Sequence, residues 1–72
     1  MDFGAALVVL KSGGRISRSG WNGAGMWVAL AVPDEHSEMR RPYLYMCPVG
    51  GELVPWVASQ SDLLAEDWAV VG

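Results

Sequence analysis

The chain has 72 residues, of which 51% are hydrophobic, with four Trp, four Met, one Cys, one His and a formal net charge of -3. A lone cysteine excludes an internal disulfide, a lone histidine argues against a structural zinc, and the acidic balance argues against a basic face for a DNA or RNA polymer. A domain this small buries a modest fraction of its surface, so the apolar load predicts one domain, residues 1–72, that associates with copies of itself.

Asp2 is a candidate N-cap for a helix running to about Ser12, with Phe3, Leu7 and Leu10 at the i, i+4, i+7 spacing of a buried face. Gly13-Gly14 ends it. RISRS, 15–19, alternates weakly and predicts a short strand leading into a glycine-rich turn, RSGWNGAGMW, 18–27. MWVALAV, 26–32, is apolar at successive positions and predicts a strand covered on both faces.

PDEHSEMRR, 33–41, has the composition of an exposed loop. YLYM, 43–46, and ELVPWVA, 52–58, flank Gly50-Gly51 and predict a hairpin, with Pro55 placing the second strand at an edge or a bend. Ser59 and Asp62 have the S-x-x-D spacing of a capping box before a short helix, and WAVV, 68–71, closes the chain as a strand. The outline is an α+β domain: N-terminal helix, small antiparallel sheet with a hairpin, short C-terminal helix.

Catalytic and metal sites find little support. His36 lies in the polar loop, no G-x-S-x-G elbow occurs, and Cys47 sits in a strand as a packed thiol. Asp34-Glu35 and Glu66-Asp67 are adjacent pairs whose members point apart, which reads as surface charge. Metal-ligand spacings are absent. No apolar run approaches the roughly 20 residues that cross a bilayer, and no leader pattern opens the chain, so a cytosolic protein without membrane attachment is expected.

Residues 1–33 hold three basic groups against one acidic, and residues 34–72 hold two against seven, so an anionic ligand would find its charge in the N-terminal half. GWNGAG reverses the order of the dinucleotide-binding glycines and precedes a strand, so it is neither that fingerprint nor a P-loop. A turn nevertheless has no need of an indole. Trp21 beside Asn22 and Arg18 suits a nucleobase carrying a phosphate, and equally suits packing across a subunit interface. Ser59, Gln60 and Asp62 form a second polar cluster, of which capping already explains the first and third.

With these segments placed, the chain resembles the phage-encoded Thoeris anti-defence sponges of the second type. The resemblance rests on DFGAAL at the start, R-x-GWNG-x-GM at 18–26, RPYLYM at 41–46 and VPWVASQSDLLAEDW at 54–68. It implies a non-enzymatic homotetramer, without cofactor, in the cytoplasm of the infected bacterial host. Such a sponge holds glycocyclic ADP-ribose, the cyclic nucleotide made by TIR-domain immune enzymes, intact in pockets between protomers. Some members also capture cyclic di- or trinucleotides made by cGAS-like CBASS enzymes. An enzyme degrading these messengers is the competing reading.

Carried onto matching motifs, the resemblance implies a ligand site of Arg18, Trp21, Asn22, Gly23, Gly25, Met26, Tyr43, Trp56, Ser59, Gln60 and Asp62. The glycines would let the backbone approach, Trp21 would stack or shield, and Arg18 with Asn22 would meet phosphate and polar groups. The shorter central loop and the segment MCPVGGELV put ligand choice more in question than fold.

Overall fold

The structure, a computed structural model, describes residues 1–21 and 25–72. Asp2 caps helix α1, Phe3–Lys11, by accepting from the Ala5 N–H at 2.9 Å, which satisfies one of the donors a helix start leaves orphaned. Ala6 and Leu10, one turn apart, are fully buried, while Phe3 and Leu7 pack beside them. The apolar spacing read from the sequence therefore faces the core, with Ala6 added.

The helix stops through paired bonds: the Gly14 N–H donates to Val9 O at 2.9 Å and the Gly13 N–H to Leu10 O at 3.1 Å. This closure requires Gly13 at φ +94°, a conformation that costs a side chain dearly. Gly13→Ala should lower stability by about 1–2 kcal/mol. The check is a drop in urea midpoint with an unchanged denaturant slope.

Among the described residues, one sheet holds β1 (Arg15–Arg18), β2 (Trp27–Ala31), β3 (Tyr43–Cys47), β4 (Val54–Pro55) and β5 (Trp68–Val71). The strands are all antiparallel to their neighbours, in the order β4-β3-β2-β1-β5. The α+β class and the hairpin joining β3 to β4 agree with the sequence reading. The last hairpin strand is shorter than the expected 52–58: Pro55 has no N–H for a ladder, and the chain leaves the sheet after Trp56 donates to Leu44 O at 3.0 Å. Helix α2, Gln60–Leu64, is capped as the S-x-x-D spacing predicted, with the Asp62 N–H donating to Ser59 Oγ and the Ser59 N–H to Asp62 Oδ2, both at 3.1 Å.

The registers Ile16↔Val28, Val28↔Met46 and Leu30↔Leu44 put one set of apolar side chains on a single face. Ile16, Val28 and Trp68 form the core there with Ala6 and Leu10 of α1. The other face carries Trp27, Ala29, Ala31, Tyr43 and Tyr45. The expectation that β2 is covered on both sides is thus corrected: α1 packs against one face, while on the other a Trp27–Tyr45 edge contact at 5.9 Å and the Arg15 guanidinium 5.0 Å above Trp27 provide local cover. Among the described residues, only Ala29, at 7% exposure, is buried on that second face.

Candidate functional site

Alternation along RISR places Arg18 on the same face as fully buried Ile16, and a cation there requires a counter-ion. Two are supplied from across the molecule. Arg18 Nη1 lies 2.9 Å from Asp62 Oδ1 and Arg18 Nε lies 2.8 Å from Asp67 Oδ1. The three side chains are largely shielded, at 21%, 13% and 30% exposure.

Each charge reinforces the others. Burial pushes the Asp62 carboxyl up, but hydrogen bonds from Arg18, Ser59 and Trp21 outweigh it and hold the group below the usual carboxylate range. The Arg18 hydrogen bond likewise holds Asp67 low against its partial desolvation, with help from the Gly20 N–H and Ser19 hydroxyl. Asp67 and then Asp62 raise Arg18 further above an already high value.

Asp67 does more than neutralise. Its Oδ2 accepts from the Gly20 N–H at 2.9 Å and the Ser19 hydroxyl at 3.3 Å, while its carbonyl accepts from the Ser19 N–H at 3.3 Å. The Trp21 N–H donates back to Arg18 O at 3.3 Å, closing a turn over residues 18–21. Space at Gly20 is tight: a Cβ there would stand 3.0 Å from Asp67 Oδ2 and press on that carboxylate. Gly25, at φ +82°, is required for conformation.

The turn sends the Trp21 ring back onto the chain's own aromatics. Its ring centroid lies 5.4 Å from that of Trp68 and 6.5 Å from that of Trp56, with Phe3 5.5 Å from Trp68 on the far side. All are tilted or edge-on, the arrangement aromatic quadrupoles favour. Trp68 is 2% exposed and satisfies its indole N–H on Asp62 O at 2.9 Å. Trp21 and Trp56 are half-buried.

The structure therefore brings Arg18, Trp21, Trp56, Ser59 and Asp62 together, joining the two motifs that lie about forty residues apart in sequence. Gln60 begins α2 beside them and is exposed. Met26 is half-buried just before β2, and Gly25 is exposed. Asn22 and Gly23 lie outside the described residues. Tyr43 stands apart: it faces the other side of the sheet, in a groove of about 410 Å³ shared with Ala31, Tyr45, Leu53 and Pro55.

Sequence reasoning missed two members of this site. The adjacency of Glu66 and Asp67 suggests surface charge, yet Asp67 is the anchor of the Arg18 turn; WAVV marks Trp68 only as a strand residue, yet it is the centre of the aromatic cluster. The usable signal was Arg18 itself, a charge in phase with Ile16 and so in need of a distant carboxylate. His36 is elsewhere, with 84% of its side chain exposed and Glu35 Oε1 3.5 Å from its Nε2. Among the described residues no cluster of His, Cys, Asp and Glu could hold a metal ion, and no helix is long and apolar enough to cross a membrane.

Comparison with known proteins identifies the family. The Thoeris anti-defense 2-like domain matches residues 1–71. The chain is also similar to a protein named Thoeris anti-defense 2 from Bacillus phage SP01, at 36% identity over 84 aligned positions covering 99% of this chain and 94% of the relative. The aligned span exceeds the 72 residues of this chain, so the relative carries additional residues within it.

Proposed function

The chain belongs to the Thoeris anti-defense 2-like family and so has an anti-Thoeris role, and from that premise we propose that it is a phage sponge acting in the host cytoplasm. It binds glycocyclic ADP-ribose without cleaving it and so keeps the signal from its effector. The observation that carries this reading is the convergence of the two motifs: Arg18 reaches Asp62 at 2.9 Å and Trp21 meets Trp56 at 6.5 Å. Aromatic surface, backbone amides and Gln60 there suit a base and its ribose, as the carried-over site expects.

Arg18 enters this site differently from the sequence expectation. Two carboxylates already offset its charge, so it orders the motifs, and the ligand's phosphates are met by a second protomer. Homotetramer assembly supplies that protomer. Exposed apolar side chains such as Val57 at 89%, Leu64 at 80% and Val32 at 72% support association. Diverting a messenger present at nanomolar to micromolar levels takes about 8–12 kcal/mol of binding free energy, which stacking and hydrogen bonds in a preformed pocket can supply.

A second reading draws on the groove lined by Tyr43 and Tyr45, which is separated from Trp21 by the sheet. Cyclic di- or trinucleotides from CBASS enzymes would bind there, in a place distinct from the first. Both readings are tested by adding the protein to glycocyclic ADP-ribose or a cyclic oligonucleotide together with the matching immune effector. The effector should stay silent and recover full activity once the mixture is boiled. An effector that stays silent after boiling would mean the messenger had been degraded, making the protein an enzyme.

A further inference from the structure

Asp67 joins the start of β5 to the exit of β1, 49 residues earlier, through four separate contacts: Arg18 Nε at 2.8 Å, the Gly20 N–H at 2.9 Å, the Ser19 hydroxyl at 3.3 Å and, from its own carbonyl, the Ser19 N–H at 3.3 Å. An ion pair serving stability alone would need only the first. Of the other three, two hold the backbone N–H groups of residues 19 and 20 and one holds the Ser19 hydroxyl, directly before Trp21. The space opposite Asp67 Oδ2 is kept free of a side chain by Gly20. A carboxylate accepting from a charged donor and a backbone amide together holds a corner far more tightly than a neutral turn does.

We infer that Asp67 is a positioning residue for the ligand site, fixing the Ser19–Gly20 corner so that Trp21 is presented to the nucleotide in one arrangement. The inference rests on the sponge reading. It assigns Asp67 a part in affinity without contact to the ligand: the ordering entropy of the corner is spent on folding, not on binding.

The test is calorimetric titration of the full chain with glycocyclic ADP-ribose in four forms: wild type, Asp67→Ala, Asp67→Asn and Gly13→Ala. Asp67→Ala should bind at least roughly tenfold more weakly. Asp67→Asn, which keeps an oxygen for the Gly20 N–H but loses the charge facing Arg18, should fall between it and wild type, and serves as the test if the alanine variant fails to fold. Gly13→Ala loses stability at a distant helix end and should keep wild-type affinity. Wild-type affinity in both folded Asp67 variants, or an equal loss in Gly13→Ala, would overturn the inference. The Gly20 amide proton resonance separates this from failure of the sponge reading. It should follow the titration of the Asp67 carboxyl and shift upfield in Asp67→Ala; a chain that shows this but binds no cyclic nucleotide would overturn the sponge reading and, with it, any role of Asp67 in affinity.

Discussion

Replacing Trp68 with alanine should cost about 3–5 kcal/mol, most or all of the stability of a domain this size. The indole is 2% exposed, touches Phe3, Trp21 and Trp56 with its ring, and donates its N–H to Asp62 O at 2.9 Å. Truncation removes the contacts of three other aromatics and leaves the buried Asp62 carbonyl with only the longer 3.4 Å bond from the Ala65 N–H. Trp68→Phe, which keeps much of the volume but not the N–H, should lose roughly half as much. Circular dichroism melts of both variants decide the matter, and a Trp68→Ala protein melting within a few degrees of wild type would contradict the packing described.

Arg18→Gln should produce the second large effect, and its signature is the shape of the pH profile. In the wild-type protein both Asp62 and Asp67 are held below the ordinary carboxylate range. Their contribution is therefore fully present above the unfolded value near pH 4 and is lost as pH falls through the folded values, because the unfolded chain then binds more protons. Without Arg18 both carboxylates lose the hydrogen bond that lowers them most, the burial of Asp62 loses its main counterweight, and both move up. The variant should be less stable at pH 7 and gain stability on acidification toward pH 4, so the two curves converge. Parallel curves from pH 7 to pH 3 would mean that the ion pairs contribute nothing specific.

The local signals in the sequence were the reliable ones. Asp2, Gly13-Gly14 and the S-x-x-D box each act through bonds to residues a few positions away, Pro55 acts through the N–H it lacks, and each appears where the residues placed it. What the sequence did not disclose was long-range pairing. Nothing local to residues 66–68 tells that β5 lies beside β1, and only that neighbourhood converts Asp67 from surface charge into the partner of Arg18 and Trp68 into the roof over Ile16. The same gap affected Trp21. A ring at a turn could have served a ligand or a subunit contact, whereas the 18–21 turn folds one part of it against its own chain. Trp21→Ala is consequently a poor probe of binding alone, since it also strips the aromatic cluster. Gln60, exposed and outside the clamp, is the cleaner choice.

The central claim is that the protein binds a cyclic nucleotide messenger and releases it unchanged. The most direct measurement is calorimetric titration with glycocyclic ADP-ribose beside a panel of cyclic di- and trinucleotides, followed by heat denaturation of the complex and mass identification of what is freed. Tight binding at about one ligand per two subunits, with the intact compound recovered, is the predicted result. No heat with any compound, or fragments in place of the ligand, would contradict it.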